Sequence, residues 1–269
     1  MPGVQHASLA MWVLAAALLG PVFLFIMLAR RGRKLYIRRI PGIDAIEEAV
    51  GRATEMGRPV AFTTGLSGVG PLLFAVLGVF GRVVQLAARY STGLFVAQNN
   101  PEVMAIVEQV MRDAYQAEGH PERFDLSMIR YLSGDQFAYA SGYMGTVHRE
   151  KAASCLLFGH FAAESLILAE AGQQVGAMQV AGTIDSTQVP FFLTSCDYTI
   201  IGEEVYAAGA YLSRDPVQLG SLRGQDVGKL IIYAIVFTGV VIATWYGIWG
   251  TAHEGYDLWL SKMLLPPPN

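Results

Sequence analysis

The chain has 269 residues, of which 53% are hydrophobic and only 15% charged, with a formal net charge of −3. A soluble domain carries about 25% charged residues, so these figures exclude a disordered chain, a basic nucleic-acid-binding domain and a solvated coiled coil, and they point to a membrane. Two cysteines, Cys155 and Cys196, are too few for a disulfide framework.

Residues 8–29 carry no charge. As a helix they would extend about 33 Å, enough for a hydrocarbon core of about 30 Å. Trp12 suits an interface, and Pro21 falls mid-span. A cleaved signal peptide fits poorly, because the basic residues follow the apolar run instead of preceding it. Those residues are Arg30, Arg31, Arg33, Lys34, Arg38 and Arg39, and no Asp or Glu occurs before Asp44. A basic collar beside an apolar span marks the cytoplasmic side. The first expected span is therefore residues 8–29, followed by a juxtamembrane collar at 30–40.

A cytoplasmic domain is expected over residues 41–228. Pro41-Gly42 breaks the chain, and Asp44 with Glu47 gives a capping-box start to a helix whose apolar face is Ile43, Ile46, Ala49, Val50 and Ala53. A short apolar strand at 60–64, a glycine-rich turn and a long apolar helix over 71–90 follow. The pattern then predicts a strand at 93–97, a helix over 101–118 capped by Asn100, and a strand at 128–132. Residues 136–147 read as a strand interrupted by Gly142 and Gly145, and 148–171 as a helix closed by Gly172. Strands at 175–181 and 196–201 and a helix over 202–213 complete the series. Alternating apolar strands and helices imply a Rossmann-like α/β fold, a mostly parallel sheet with helices on both faces. Residues 66–80 are also uncharged, but fall short of the roughly 20 residues a span requires.

Residues 229–250 form the second expected transmembrane helix, ending in Trp245, Tyr246 and Trp249. The loop before it, residues 220–228, reads as a juxtamembrane linker in which Arg223 and Asp226 pair. Residues 251–269 read as an extracytoplasmic amphipathic tail closing in three prolines. The whole describes a two-pass membrane protein with both termini outside and the central domain in the cytoplasm.

Candidate chemistry gathers at strand ends. Gly65-Leu66-Ser67-Gly68-Val69-Gly70 lies between a strand and a helix, where backbone N–H groups can receive an anion, and Thr63, Thr64 and Ser67 add hydroxyls. The spacing is not that of a dinucleotide or Walker fingerprint, and a tight structural turn is the competing reading. Thr183, Asp185 and Ser186 follow another strand, at the edge where α/β sheets bind ligands. His160 and Glu164, four apart, read as a pair on one helix face without a third metal ligand. Cys196-Asp197 lacks a nucleophile signature, Cys155 reads as core, and Glu203-Glu204 suits a helix start. No pattern assigns a catalytic residue, a metal or a cofactor.

Three stretches, Arg39-Ile40-Pro41-Gly42-Ile43-Asp44-Ala45-Ile46 with residues 51–59, Cys196-Asp197-Tyr198-Thr199-Ile200-Ile201-Gly202-Glu203-Glu204, and residues 207–214 extended by 220–226, resemble a family of uncharacterised bacterial membrane proteins grouped as a domain of unknown function. That resemblance implies two spans flanking a cytoplasmic α/β domain in a bacterial inner (cytoplasmic) membrane, and it brings no activity. The sequence thus predicts a non-enzymatic subunit or scaffold of a larger membrane complex. Its expected partners are the lipid bilayer, copies of itself or other subunits, and not nucleic acid. The alternative is a membrane-tethered domain binding a nucleotide or other small anionic ligand.

Overall fold

The computed structural model describes residues 9–32, 41–213 and 215–249. Four residues of the basic collar (Arg33, Lys34, Arg38 and Arg39) and the tail at 251–269 lie outside the described residues. The chain divides into two compact units.

The first unit pairs α1 (Leu9–Arg30) with α9 (Pro216–Trp249). Gly220 and Gly224 make the seam: a Cβ at Gly224 would lie 2.3 Å from Val22 Cα, and one at Gly220 2.6 Å from Ile26 Cα. Residues four apart share a helix face, and small ones there let two backbones approach. This corrects the expectation of a linker at 220–228. The glycines that suggested a loop are contact residues of a helix, and the Arg223–Asp226 pair, 3.8 Å apart, is a helical i,i+3 pair.

The second unit alternates strands and helices. Helix α2 (Pro41–Met56) precedes β1 (Val60–Gly65), α3 (Pro71–Tyr90) and β2 (Leu94–Gln98). Next come α4 (Pro101–Ala117), β3 (Ile129–Tyr131), α5 (Gln136–Glu150) and β4 (Ser154–His160). The series closes with α6 (Ser165–Gln174), β5 (Met178–Thr183), α7 (Val189–Ser195), β6 (Tyr198–Ile201) and α8 (Glu203–Ser213). The sheet order is β3-β2-β1-β4-β5-β6, every pair parallel. The expected α/β class, with a parallel sheet between helices, is the observed one.

Side chains alternate across the sheet. Val60, Phe62, Leu156, Phe158 and Val180 enter a core shared with α2, α3, α4 and α8. Ala61, Phe95, Cys155, Leu157 and Ala181 enter one shared with α5, α6 and α7. The central strands are buried on both faces, which is why they read as unbroken apolar runs.

Two expectations for residues 136–171 are overturned. The segment expected as a strand at 136–147 is α5. Asp135 Oδ1 accepts the N–H groups of Phe137 (3.1 Å) and Ala138 (2.9 Å), which starts a helix. Tyr139, Ala140, Tyr143 and Val147 then fall on one buried face. The helix expected over 148–171 is broken in two places. Lys151 adopts a left-handed conformation (φ 51°) that ends α5, and residues 154–160 become the fourth strand.

Among the described residues, three helices are long and apolar enough to cross a membrane, lying over Trp12–Arg30, Pro71–Tyr90 and Pro216–Trp245. They differ in their surroundings: the window in α3 is 61% buried against the protein, those in α1 and α9 only 6%. Helix α3 packs on the sheet and on α8, where a Cβ at Gly78 would lie 2.5 Å from Gly209 O.

Candidate functional site

The connections leaving β1 and β2 lead to helices on one face, and those leaving β3, β4 and β5 to helices on the other. The direction changes between β1 and β4, and at such a switch point an open α/β sheet leaves a crevice beyond its carboxyl edge. Here two glycines shape it. A Cβ at Gly65 would lie 2.3 Å from His160 O, and one at Gly159 only 2.1 Å from Thr64 O and 2.5 Å from Ser67 Oγ. Both have positive φ, +61° and +150°. They allow the strand ends to touch where the β1–β4 register shifts.

Ser67 ties the two ends together. Its hydroxyl donates to Thr64 O (2.6 Å) and accepts the His160 N–H (2.9 Å), while the Leu66 N–H donates to His160 O (2.8 Å). The loop then rises to α3, whose N-cap residue Gly70 offers no side-chain oxygen. The N–H groups of Gly68, Val69 and Gly70 have no protein acceptor among the described residues, and the space above Gly68 and Gly70 is open. Such a cluster of unpaired donors at a helix start is an acceptor-binding surface.

His160 ends β4 at the rim, its side chain 51% exposed. Its Nδ1 lies 2.8 Å from Asp185 Oδ2. The same carboxylate oxygen accepts the Phe161 N–H (2.9 Å) and the Thr183 hydroxyl (3.2 Å), and the Asp185 N–H donates back to Thr183 Oγ1 (3.1 Å). Asp185 is thus held by backbone, and it holds the imidazole. The other ring nitrogen, Nε2, has no protein partner among the described residues. Glu164, fully buried, stands nearby at the start of α6. Its carboxylate accepts the Ala162 N–H (3.0 and 3.2 Å) and the Gln136 amide (2.6 Å).

The residues expected from sequence separate into three groups. Gly65, Ser67, Gly68 and Gly70 form the loop as described, while Thr183 at the end of β5 holds Asp185, which bonds His160 and Phe161 at the end of β4. Ser186 is exposed beside them. Thr63 and Thr64 are buried and committed elsewhere: Thr63 Oγ1 bonds the Tyr139 hydroxyl and accepts the Gly65 N–H, and Thr64 Oγ1 donates to Gln98 Oε1 at 2.8 Å. Gln98, at the end of β2, in turn leaves its buried Nε2 unpaired. Burial also holds the Tyr139 phenol well above its usual range, so it stays protonated.

The structure corrects the expected place of His160. It is not on a helix with Glu164: one residue ends a strand and the other precedes a helix. The available signal was Gly159, which closes the apolar run Cys155-Leu156-Leu157-Phe158, too short for a helix and of strand length. The thiols carry no activation. Burial pushes Cys155 and Cys196 up to about 12, the reverse of what a nucleophile needs. Among the described residues no group of three His, Cys, Asp or Glu side chains could hold a metal ion.

One electrostatic feature spans the edge. The six connections leaving the strands carry Glu102, Asp135, Glu164, Asp185, Glu203 and Glu204, and within residues 65–71, 98–102, 131–136, 160–166, 183–189 and 201–204 there is no Lys or Arg. His160 is the one group there able to become cationic.

The fold and site together define a doubly wound parallel α/β protein with a polar, switch-point crevice. The chain belongs to the family described as Domain of unknown function (DUF6754), which matches residues 3–253. No curated protein and no solved structure matches the chain.

Proposed function

We propose that this chain is a membrane-anchored protein whose α/β domain lies on the cytoplasmic side and binds a small ligand at the carboxyl edge of its sheet. The ligand reading rests on one observation: the N–H groups of Gly68, Val69 and Gly70, unpaired among the described residues, lie on the loop that leaves β1 at the switch point between β1 and β4. Those donors favour an oxygen acceptor. The acidic connections oppose dense negative charge, so the fitting ligand is neutral or carries a single anionic group.

The anchor reading draws support from α1 and α9. They expose Trp12, Phe23, Leu24, Leu230, Phe237 and Val240, more continuous apolar surface than water tolerates. Arg30 and Arg31, with the rest of the collar in the sequence, favour the cytoplasmic side for the domain. The same outward faces favour a second reading, in which the chain is a subunit seated against copies of itself or other membrane proteins.

Thermal-shift screening of the detergent-solubilised chain tests the first reading. Stabilisation by neutral or singly charged nucleosides, esters or carboxylates is expected, and absence of any shift across them would overturn it. Alkaline carbonate extraction tests the anchor: the intact chain should stay with the membrane pellet. A monodisperse monomer at micromolar concentration in detergent would remove the second reading.

A further inference from the structure

We infer that the crevice is the active site of an esterase-type hydrolase, with His160 as the proton-transferring catalytic residue and Asp185 as its positioning residue; this rests on the ligand-binding reading above. Three observations carry it. The imidazole is fixed through Nδ1 by a carboxylate that is itself fixed by the Phe161 N–H and Thr183. Its Nε2 is unpaired among the described residues, on a half-exposed ring. Unpaired backbone donors at Gly68, Val69 and Gly70 lie on the loop that Ser67 bonds to the His160 backbone. A base held by a carboxylate, at a strand end hydrogen-bonded to a loop with donors able to receive a developing negative charge, supplies the groups that acyl hydrolysis uses.

The nucleophile is water. Ser67 donates its only hydroxyl proton to Thr64 O, and both cysteines are held in the thiol form by burial. In the first step Nε2 takes a proton from water as the water oxygen bonds to the ester carbonyl carbon. The carbonyl π pair moves onto oxygen, and the oxyanion is received by the loop N–H groups. In the second step that pair returns and the C–O bond to the alcohol breaks. The leaving oxygen takes the proton from the imidazolium. One ester and one water give one carboxylic acid and one alcohol, with no other reactant.

Charge decides between ester and phosphate. A phosphate would bring its negative charge to an edge that already holds Asp185 and Glu164, with no Lys or Arg in the six connections. A neutral ester becomes negative only in the transition state, at the moment His160 becomes positive. The site's net charge is then unchanged. Val69, Leu166 and Ile184 are exposed at the same edge, next in the chain to or within two residues of the polar groups, and they favour an apolar acyl group.

The test uses the full chain in dodecyl maltoside with p-nitrophenyl butyrate as the ester and p-nitrophenyl phosphate as the rival. The wild-type chain should release p-nitrophenol from the ester and not from the phosphate. His160→Ala, checked for an unchanged melting temperature, should lose about 10²–10⁴-fold in kcat/KM, and added imidazole should restore part of it. Asp185→Asn should lower kcat with little change in KM. No ester turnover above a protein-free blank, turnover that survives His160→Ala, failure of imidazole rescue, or preference for the phosphate would each overturn the inference. If the ester is not hydrolysed but ligands still stabilise the chain in the thermal-shift screen, the hydrolase inference fails alone and the binding reading stands.

Discussion

Replacing Gly159 by alanine strikes the point where the two halves of the sheet meet. The backbone there has φ +150°, which costs a non-glycine residue on the order of 1–3 kcal/mol. The new methyl would also lie 2.1 Å from Thr64 O and 2.5 Å from Ser67 Oγ, so β1 and β4 must part or the Ser67 bridge must break. Overpacking of this kind adds about 1–3 kcal/mol, giving roughly 2–5 kcal/mol in all. For a domain of this size that lowers the melting temperature on the order of 10 °C. Gly68→Ala is the matched control: a Cβ there meets nothing within 4 Å, and its φ is not positive. Differential scanning fluorimetry of both variants in the same detergent reads the difference. If Gly159→Ala melts with the wild type, or Gly68→Ala falls equally far, the close apposition of the strand ends is not what shapes the crevice.

Glu164→Gln should lower the urea midpoint by an amount corresponding to about 1–3 kcal/mol, because the new amide places a donor against the Gln136 amide or the Ala162 N–H in a buried site; an unchanged midpoint would show the carboxylate is not needed. Gly224→Val should weaken α1–α9 packing, since its first added carbon falls 2.3 Å from Val22 Cα, whereas Gly239→Val meets nothing within 4 Å. A detergent melt that cannot tell these two apart would refute the seam. Cys155 and Cys196 should resist iodoacetamide at neutral pH in the folded chain and react after unfolding, as mass spectrometry can read. Their pKa values are raised in the fold to about 12, so their contribution to stability is complete below the unfolded value of about 8.5 and is lost as pH rises from there toward 12. A urea midpoint that increases with pH above about 8.5 would contradict that sign.

Local signals carried the first half of the domain. Asn100 accepts the Glu102 N–H at 2.9 Å with Pro101 in the first turn, as the dipeptide implies, and β1 and β2 stand where short apolar runs between glycines placed them. The second half failed at Gln136–Glu150 and Ser154–His160 for a physical reason. Aromatic residues and glycines in α5 imitate a strand, and the Asp135 cap outweighs them. A central parallel strand such as β4 is apolar on both faces, so it has no alternation to separate it from a buried helix. The site suffered accordingly. The glycine loop and Asp185 were legible because turn chemistry is local, while the His160–Asp185 pair depends on β4 lying beside β5, which neighbouring residues do not encode. The hydroxyls of Thr63 and Thr64 looked available in sequence, and only the packed sheet shows them spent on Tyr139 and Gln98.

The backbone-to-backbone seam between Gly78 and Gly209 has a consequence for biosynthesis. Helix α3 is greasy enough for a bilayer, and the helix that covers it is the last of its domain to be made. At about 5–20 residues per second, the ribosome leaves α3 without that cover for on the order of ten seconds. On the two-span reading proposed above, insertion machinery would in that interval meet a third segment long and apolar enough to compete. A bulkier residue at either glycine would prolong the exposure and, on that reading, turn a packing defect into an error of topology.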